Sequence, residues 1–204
     1  MNARAFLPAV LAGLLVPGCA SGPWTPPDEA PLPAGFPGPS PPGEIVVKTY
    51  PATRGVFTRW EGALDAGTRK SFWPLFDHIR SNDIAMSAPV QADYPADVDG
   101  RASGSMEVGF LYGDPATKPS EVDGEVAVVD RPPATFVSVG VLGKYDMSVM
   151  QPALARLRGW LAGNSSRWRA AGAPRRLFYQ QPIFWKGSRL YSEVQIPIEP
   201  VQNP

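Results

Sequence analysis

Few side chains in this sequence of 204 residues are suited to metal or nucleophilic chemistry, because it contains one histidine and one cysteine. His78 is the obvious candidate for a metal ligand, since a neutral imidazole nitrogen is a common axial donor to iron. It lies at the edge of an apolar helical stripe, where it could line the mouth of a cleft or be half exposed at the surface. A tyrosinate or one of four methionines is the alternative donor, namely Met86, Met106, Met147 or Met150.

Two glutamates are the only other pair of side chains that could take part in chemistry together. Glu107 and Glu193 each precede a valine in the last predicted strand of their half of the sequence. If both face a cleft, burial raises their pKa values and permits acid-base chemistry or cation binding. The alternative is that both are solvent-facing residues of alternating strands. Because the sequence has no nucleophile elbow, phosphate loop or zinc spacing, we expect a binding domain without turnover.

The N-terminus has the organisation of a bacterial export signal over residues 1–19. Arg4 precedes an apolar run from Ala5 to Val16, which is shorter than the roughly 18 residues needed to span a bilayer. The following Pro17-Gly18-Cys19 resembles a lipobox, with Pro17 in place of the usual small residue. A lipid on Cys19 implies an anchored protein of the bacterial cell envelope, at the outer membrane facing the periplasm. The alternative is an ordinary secretory signal with an incidental cysteine.

Residues 20–43 contain nine prolines and four glycines, which predicts a disordered, extended tether. The whole sequence balances 19 acidic against 19 basic residues. This balance gives no reason to expect a nucleic-acid partner.

The remaining sequence, residues 44–199, contains an internal duplication. Residues 43–62 align with residues 124–143 at a constant offset of 81, and six of the 20 positions are identical. The pseudo-repeats, 43–113 and 124–199, each predict two strands, a helix and two further strands. The helices are expected at Phe72 to Arg80 and at about Val149 to Leu161, from their apolar periodicity. The predicted fold is α+β, with duplicated ββαββ units forming an eight-stranded, mostly antiparallel distorted barrel with two helices. A ligand site is expected between the halves.

The segment Ile84 to Val90, IAMSAPV, resembles the Ile-Ala-Met-Thr-x-Pro-Val signature of the SOUL haem-binding protein family. The preceding SFWPLFDHI is similar to that family's aromatic helix, and the closing SEVQIPI is similar to its last strand. The resemblance covers residues 44–199. It implies a fold related to GyrI-like effector-binding domains, and the binding of haem or another tetrapyrrole. We expect the protein to be a monomer.

The resemblance implies no single ligation scheme: His78 remains the candidate axial ligand of haem iron, and binding in an apolar groove without an iron bond is the alternative. The candidate groove combines aromatic and sulfur-containing side chains around it: Trp60, Phe72, Phe76, His78, Met86, Tyr112, Trp160 and Tyr179. Trp73, Phe178, Phe184 and Trp185 add to the aromatic supply. The alternative function is the binding or hydrolysis of another amphipathic small molecule, using Glu107 or Glu193. A third option is an interaction module of the envelope.

Overall fold

A computed structural model describes residues 24–181 and 189–201. Cys19, Phe184 and Trp185 therefore lie outside the described residues. In chain order the elements are β1 (Ile45–Tyr50), β2 (Thr53–Ala63), α1 (Leu64–Lys70), α2 (Phe72–Ser81), β3 (Val90–Asp93), β4 (Ser103–Leu111), β5 (Ala127–Arg131), β6 (Ala134–Leu142), α3 (Met147–Gly163), β7 (Trp168–Ala170), β8 (Arg175–Phe178) and β9 (Tyr191–Pro200). Among the described helices, none is long and apolar enough to cross a membrane.

The sheet shows the duplication directly. Its strand order is β1-β6-β9-β8-β3-β4-β2-β5, and β7 pairs with β9 outside this path. If β1, β2, β3 and β4 are matched with β5, β6, β8 and β9, the order reads the same from either end. The pseudo-twofold axis therefore passes between β3 and β8, which pair antiparallel at the centre of the sheet.

The predicted α+β fold class is confirmed, although three details differ. The described residues contain nine strands instead of the predicted eight, and the additional strand is β7. The helical unit of the first half is divided into α1 and α2, which meet at Ser71. The sheet is open rather than closed as a barrel, since the path that pairs the strands runs from β1 at one edge to β5 at the other.

The helices cover one face of the sheet. Leu75 and Ile79 of α2 are buried one turn apart, and Leu154 and Leu157 of α3 are fully buried, as the apolar periodicities predict. Asp146 caps α3, its side chain accepting a hydrogen bond from the Val149 amide at 3.2 Å. These residues and the inward positions of the strands form the larger of two cores.

The opposite face of the sheet is covered in part by residues 24–43, which we name the strap. The sequence predicts a disordered tether here, whereas the strap lies against the folded domain. Phe36 is buried against Tyr50, with 4.6 Å between ring centroids, and the Ala34 amide donates to the Gly113 carbonyl at 2.8 Å. Prolines restrict the unfolded chain, so ordering this segment costs less entropy than its length implies. A few apolar anchors are then sufficient to hold it.

Candidate ligand-binding site

A cleft of about 820 Å³ opens where the two halves of the molecule meet, at the end of the central β3–β8 pair where Val90 faces Phe178. This volume is in the range of small-molecule sites in proteins. The first half contributes α1, α2 and the segment entering β3, and the second half contributes the end of β8 and Tyr145. The position agrees with the expectation of a ligand site between the halves.

The helical wall of the cleft is aromatic. Phe72 and Trp73 of α2 line it, together with Thr68 and Arg69 of α1. Trp73 is 65% exposed, although its ring contacts Phe72 edge-on at a centroid distance of 5.4 Å. An exposed indole at the mouth of an apolar cleft offers a flat surface on which a ligand can stack.

The opposite wall consists of the backbone and side chains around the central strand pair. Met86 and Val90 contribute from the first half, and Phe178 and Tyr179 from the second. The Ser87 hydroxyl also lies on this wall but donates to the Leu111 carbonyl at 2.5 Å. Its polarity is therefore satisfied within the protein, and the wall is apolar toward a ligand.

Polar groups at the cleft are mostly held by internal partners. The Tyr145 hydroxyl lies 3.0 Å from the carbonyl oxygens of Gln180 and Tyr191, and the Asp65 carboxylate accepts from the Met147 amide at 2.7 Å. Burial raises the pKa of Tyr145, so its hydroxyl stays protonated. Within the part of the chain that the structure describes, the Arg69 guanidinium makes no hydrogen bond or ion pair.

The third wall of the cleft is the strap. Glu29, Ala30 and Pro31 line it. The Pro31 carbonyl accepts from the Ala88 amide at 2.9 Å, and the Glu29 carboxylate accepts from the Gln181 amide at 2.7 Å. Part of the segment predicted to be a tether therefore belongs to the candidate site.

Glu193 lies under the strap and away from the cleft, in a dense polar cluster. Its side chain is fully buried. It accepts hydrogen bonds from the Lys48 ammonium at 2.6 Å, from the Ser40 backbone amide at 2.7 Å and from the Gln195 side-chain amide at 2.9 Å. The Tyr191 hydroxyl lies 3.0 Å from the same carboxylate. Burial and the charge of Glu193 raise the pKa of Tyr191, so this phenol stays neutral. The strap and Lys48 thus separate the carboxylate from solvent.

Glu107 occupies the position equivalent to Glu193, as the duplication predicts. Arg59 faces Glu107 across the β2–β4 pair, and Gly140, which is 81 residues after Arg59, faces Glu193 across the β6–β9 pair. The Glu107 side chain is about half exposed and forms an ion pair with Arg131 at 3.2 Å. The two carboxylates therefore do not converge on one cleft.

A third polar cluster occupies the middle of the same sheet face. The Arg175 guanidinium is stacked against the rings of Tyr50 and Phe136, and it donates to Gln195 at 2.8 Å and Gln91 at 3.2 Å. Burial lowers the pKa of Arg175 from its ordinary value. These contacts make Arg175 a structural residue that joins β3, β8 and β9.

His78 is buried and lies apart from the cleft. It is 4% exposed, and its Nε2 atom lies 2.8 Å from the Tyr112 hydroxyl oxygen. Burial lowers the pKa of His78 below 6.5 and raises that of Tyr112 to about 12, so both groups are neutral near pH 7. His78 is one of the residues that line a second cavity, of about 770 Å³, between α2 and the acidic segment 121–125. Among the described residues, no group of His, Cys, Asp and Glu side chains has the arrangement of a metal site.

The predicted groove residues divide among different environments. Phe72, Met86 and Tyr179 line the cleft, as do Trp73 and Phe178. Trp60, Phe76, Tyr112 and Trp160 belong instead to the core between sheet and helices. The structure thus brings one part of the predicted set together and places His78 elsewhere.

Several residues of the cleft and of the cluster around Glu193 were not predicted, although some of them carried a signal in the sequence. Lys48 is the one charged residue of β1, two residues before the aromatic Tyr50, which places both side chains on one face. Phe36 and Trp24 are aromatic residues in a segment whose composition otherwise predicts disorder. Thr68 and Tyr145 gave no such signal.

The fold is similar to that of several solved structures. The chain matches the EcmrR C-terminal domain with a TM-score of 0.61 and 18% identity, covering 78% of this chain and 98% of that one. A hydrolase from Listeria innocua matches with a TM-score of 0.55 and 11% identity, over 78% of this chain and 94% of that one. The chain also matches EcmrR as seen in its complex with DNA, with a TM-score of 0.62 and 18% identity, covering 78% of this chain and 58% of the EcmrR chain. At these identities the likeness concerns the fold alone.

Neither a protein-family model nor a curated protein sequence matches the chain. The resemblance to the SOUL haem-binding family is wrong, because the solved structures that share this fold include the EcmrR C-terminal domain and the Listeria innocua hydrolase. The motif that carried the resemblance, Ile84 to Val90, forms the entry to β3 and one wall of the cleft. The residue pattern of this segment is therefore explained by its place at the entry to β3.

Proposed function

We propose that this protein binds a small, largely apolar, aromatic molecule in the cleft between its two halves, without chemical turnover. The observation that carries the proposal is the cleft itself, in which Phe72, Trp73 and Phe178 surround a space large enough for such a ligand. Burying about 200 Å² of apolar ligand surface stabilises a complex by about 5 kcal/mol before the entropy of association is subtracted.

The similarity to the EcmrR C-terminal domain supports this proposal through the fold. In that architecture a duplicated sheet leaves a crevice between its halves, and crevices between structural units are common ligand sites. The function itself is inferred here from the walls of the cleft.

We do not propose haem as the ligand. The haem expectation depended on the family resemblance, which is wrong. The residues present do not fit axial ligation by His78, because its Nε2 atom is engaged by Tyr112 and its side chain is buried outside the cleft.

Hydrolysis through the paired glutamates is not proposed either. The Glu193 carboxylate is fully buried beneath Lys48 and the strap, so neither water nor substrate reaches it in this conformation. Glu107 is on the same sheet face, in an ion pair with Arg131 and outside the cleft.

The proposal is tested by titrating the full chain with N-phenyl-1-naphthylamine, an uncharged naphthalene dye whose fluorescence rises in apolar surroundings. Thr68→Trp adds a large ring to the cleft wall, and we expect it to weaken binding at least about tenfold. The matched control is Lys70→Trp, which places the same ring on the same helix at an exposed position outside the cleft. The absence of saturable binding by the wild-type chain, or equal binding by Thr68→Trp, contradicts the proposal.

We also propose that a lipid on Cys19 holds the protein at the membrane of the cell envelope. The support is the apolar leader that ends at Cys19, which lies five residues before Trp24, the first described residue. Incorporation of a labelled fatty acid in cells tests this, with Cys19→Ser as the comparison. Equal labelling of the two proteins contradicts it.

A further inference from the structure

The strap has two parts with different contacts. The inner part, residues 33–43, is held by the buried cluster, since the Ser40 amide donates to Glu193 and the Gly43 amide donates to the Gly140 carbonyl at 2.8 Å. The strap backbone lies so close to Gly140 that a Cβ atom there would be 2.8 Å from the Ser40 oxygen. A glycine is therefore required beneath the inner part.

The outer part, residues 24–32, is held mainly by residues that belong to the cleft. The Ala88 amide donates to the Pro31 carbonyl at 2.9 Å, and Gln181 and Gln180 donate to the Glu29 carboxylate at 2.7 and 3.4 Å. Both bonds to Glu29 are exposed to solvent. Trp24 adds a ring contact with Tyr191 at a centroid distance of 5.2 Å.

We infer that the outer part of the strap is a movable wall of the ligand cleft, and that its docking and ligand binding are coupled. This inference rests on the proposed function. Glu29, Ala30 and Pro31 line the same space as Phe72 and Phe178. A ligand in that space contacts the strap and the domain together, so it binds the docked conformation more tightly than the released one.

The coupling is reciprocal. A ligand in the cleft favours docking of the strap by the same factor by which docking of the strap favours the ligand, so a change that releases Glu29 and Pro31 lowers the affinity for the ligand. The inner part does not take part, because Glu193 and Gly140 hold it independently of the cleft. The outer part of the strap thus responds to whether the cleft holds a ligand.

Amide hydrogen exchange of the full chain, with and without saturating N-phenyl-1-naphthylamine, tests the coupling at single residues. The amides of Ala88 and Gln181 report the outer part, because each donates to it directly. The Ala34 amide, which donates to Gly113, reports the inner part. We expect the dye to slow exchange at Ala88 and Gln181 at least about fivefold and to leave Ala34 unchanged.

A pair of variants tests the reverse direction. Glu29→Ala removes the acceptor for Gln181, so the dye should bind several-fold more weakly and the Gln181 amide should exchange faster. Glu44→Ala is the matched control, because Glu44 is exposed and does not line the cleft. It should bind the dye as the wild-type chain does.

The outcomes separate the two proposals. Saturable dye binding with unchanged exchange at Ala88 and Gln181 overturns the coupling and leaves the proposed function standing. The coupling is also overturned if the Ala88 amide exchanges only through global unfolding in the absence of dye. If the wild-type chain shows no saturable binding, the proposed function fails, and the coupling fails with it.

Discussion

The Lys48 ammonium donates a hydrogen bond of 2.6 Å to the carboxylate of Glu193, which is fully buried between the strap and the sheet. The equivalent carboxylate of the first half, Glu107, is about half exposed. The duplicated halves are thus distinguished by the strap, which covers Glu193 and leaves its counterpart at the surface.

Replacing Lys48 with methionine should destabilise the fold by about 3 kcal/mol, because it leaves Glu193 as an uncompensated buried charge. The double variant Lys48→Met, Glu193→Gln should recover part of this loss, since the buried charge is then removed. The free energy of unfolding in urea measures both effects. Arg59→Ala, which breaks the exposed Arg59–Glu61 pair, is the control and should change stability by less than about 0.5 kcal/mol. A Lys48→Met variant as stable as this control would contradict the account.

Gly140→Ala should displace the inner part of the strap, because the new methyl group lies within 3 Å of the Ser40 and Pro41 oxygens. We expect faster hydrogen exchange at the Ser40 and Gly43 amides. Gly104→Ala is a suitable comparison in a strand, since its nearest neighbour would be a Pro95 side-chain atom at 3.7 Å. Unchanged exchange at Ser40 in Gly140→Ala would show that the strap is not packed there.

The stability of the protein should depend on His78 at mildly acidic pH. Burial lowers the pKa of His78 in the folded state below 6.5, so the unfolded state binds the proton more readily. Its contribution to stability is present above about pH 6.5 and is lost as the pH falls toward the folded-state pKa. In urea unfolding at pH 7.5 and 5.0, wild type should lose more stability than His78→Gln. Equal losses for the two proteins would refute the effect.

Trp73→Ala should weaken binding of the naphthalene dye by about two- to tenfold, which corresponds to the loss of one aromatic contact. Because Trp73 is largely exposed, the free energy of unfolding should change by less than about 1 kcal/mol. Leu142→Ala truncates another exposed apolar residue, which lies outside the cleft, and it should bind the dye normally. Equal affinities for the two variants would mean that the indole does not contact the dye.

The duplication could be predicted from the sequence because identical residues recur at a constant offset of 81, and the same offset relates Arg59 to Gly140 in the strand register. The two helical units were predicted from apolar residues at helical spacing, such as Leu75 and Ile79 in the first half and Leu154 and Leu157 in the second. Such local patterns determine which elements form and which faces they bury.

The candidate site was less predictable because its parts are distant in sequence. The strap approaches β9 across 153 residues, between Ser40 and Glu193, and its composition alone predicts disorder. The Ile84 to Val90 motif indicated the fold, and its pattern reflects the entry to β3, including the Ser87 bond to Leu111. Local sequence therefore described the elements but not the ligand.

The location of the bound dye tests the central claim most directly. Amide chemical-shift mapping of the full chain during a titration with N-phenyl-1-naphthylamine should show saturable changes at Val90, Tyr145 and Phe178, around the cleft. The amides beside the second cavity, Asp77, Ser81 and Val126, should remain unchanged. Changes confined to that second cavity, or no saturable change at the cleft, would contradict the assignment of this cleft as the ligand site.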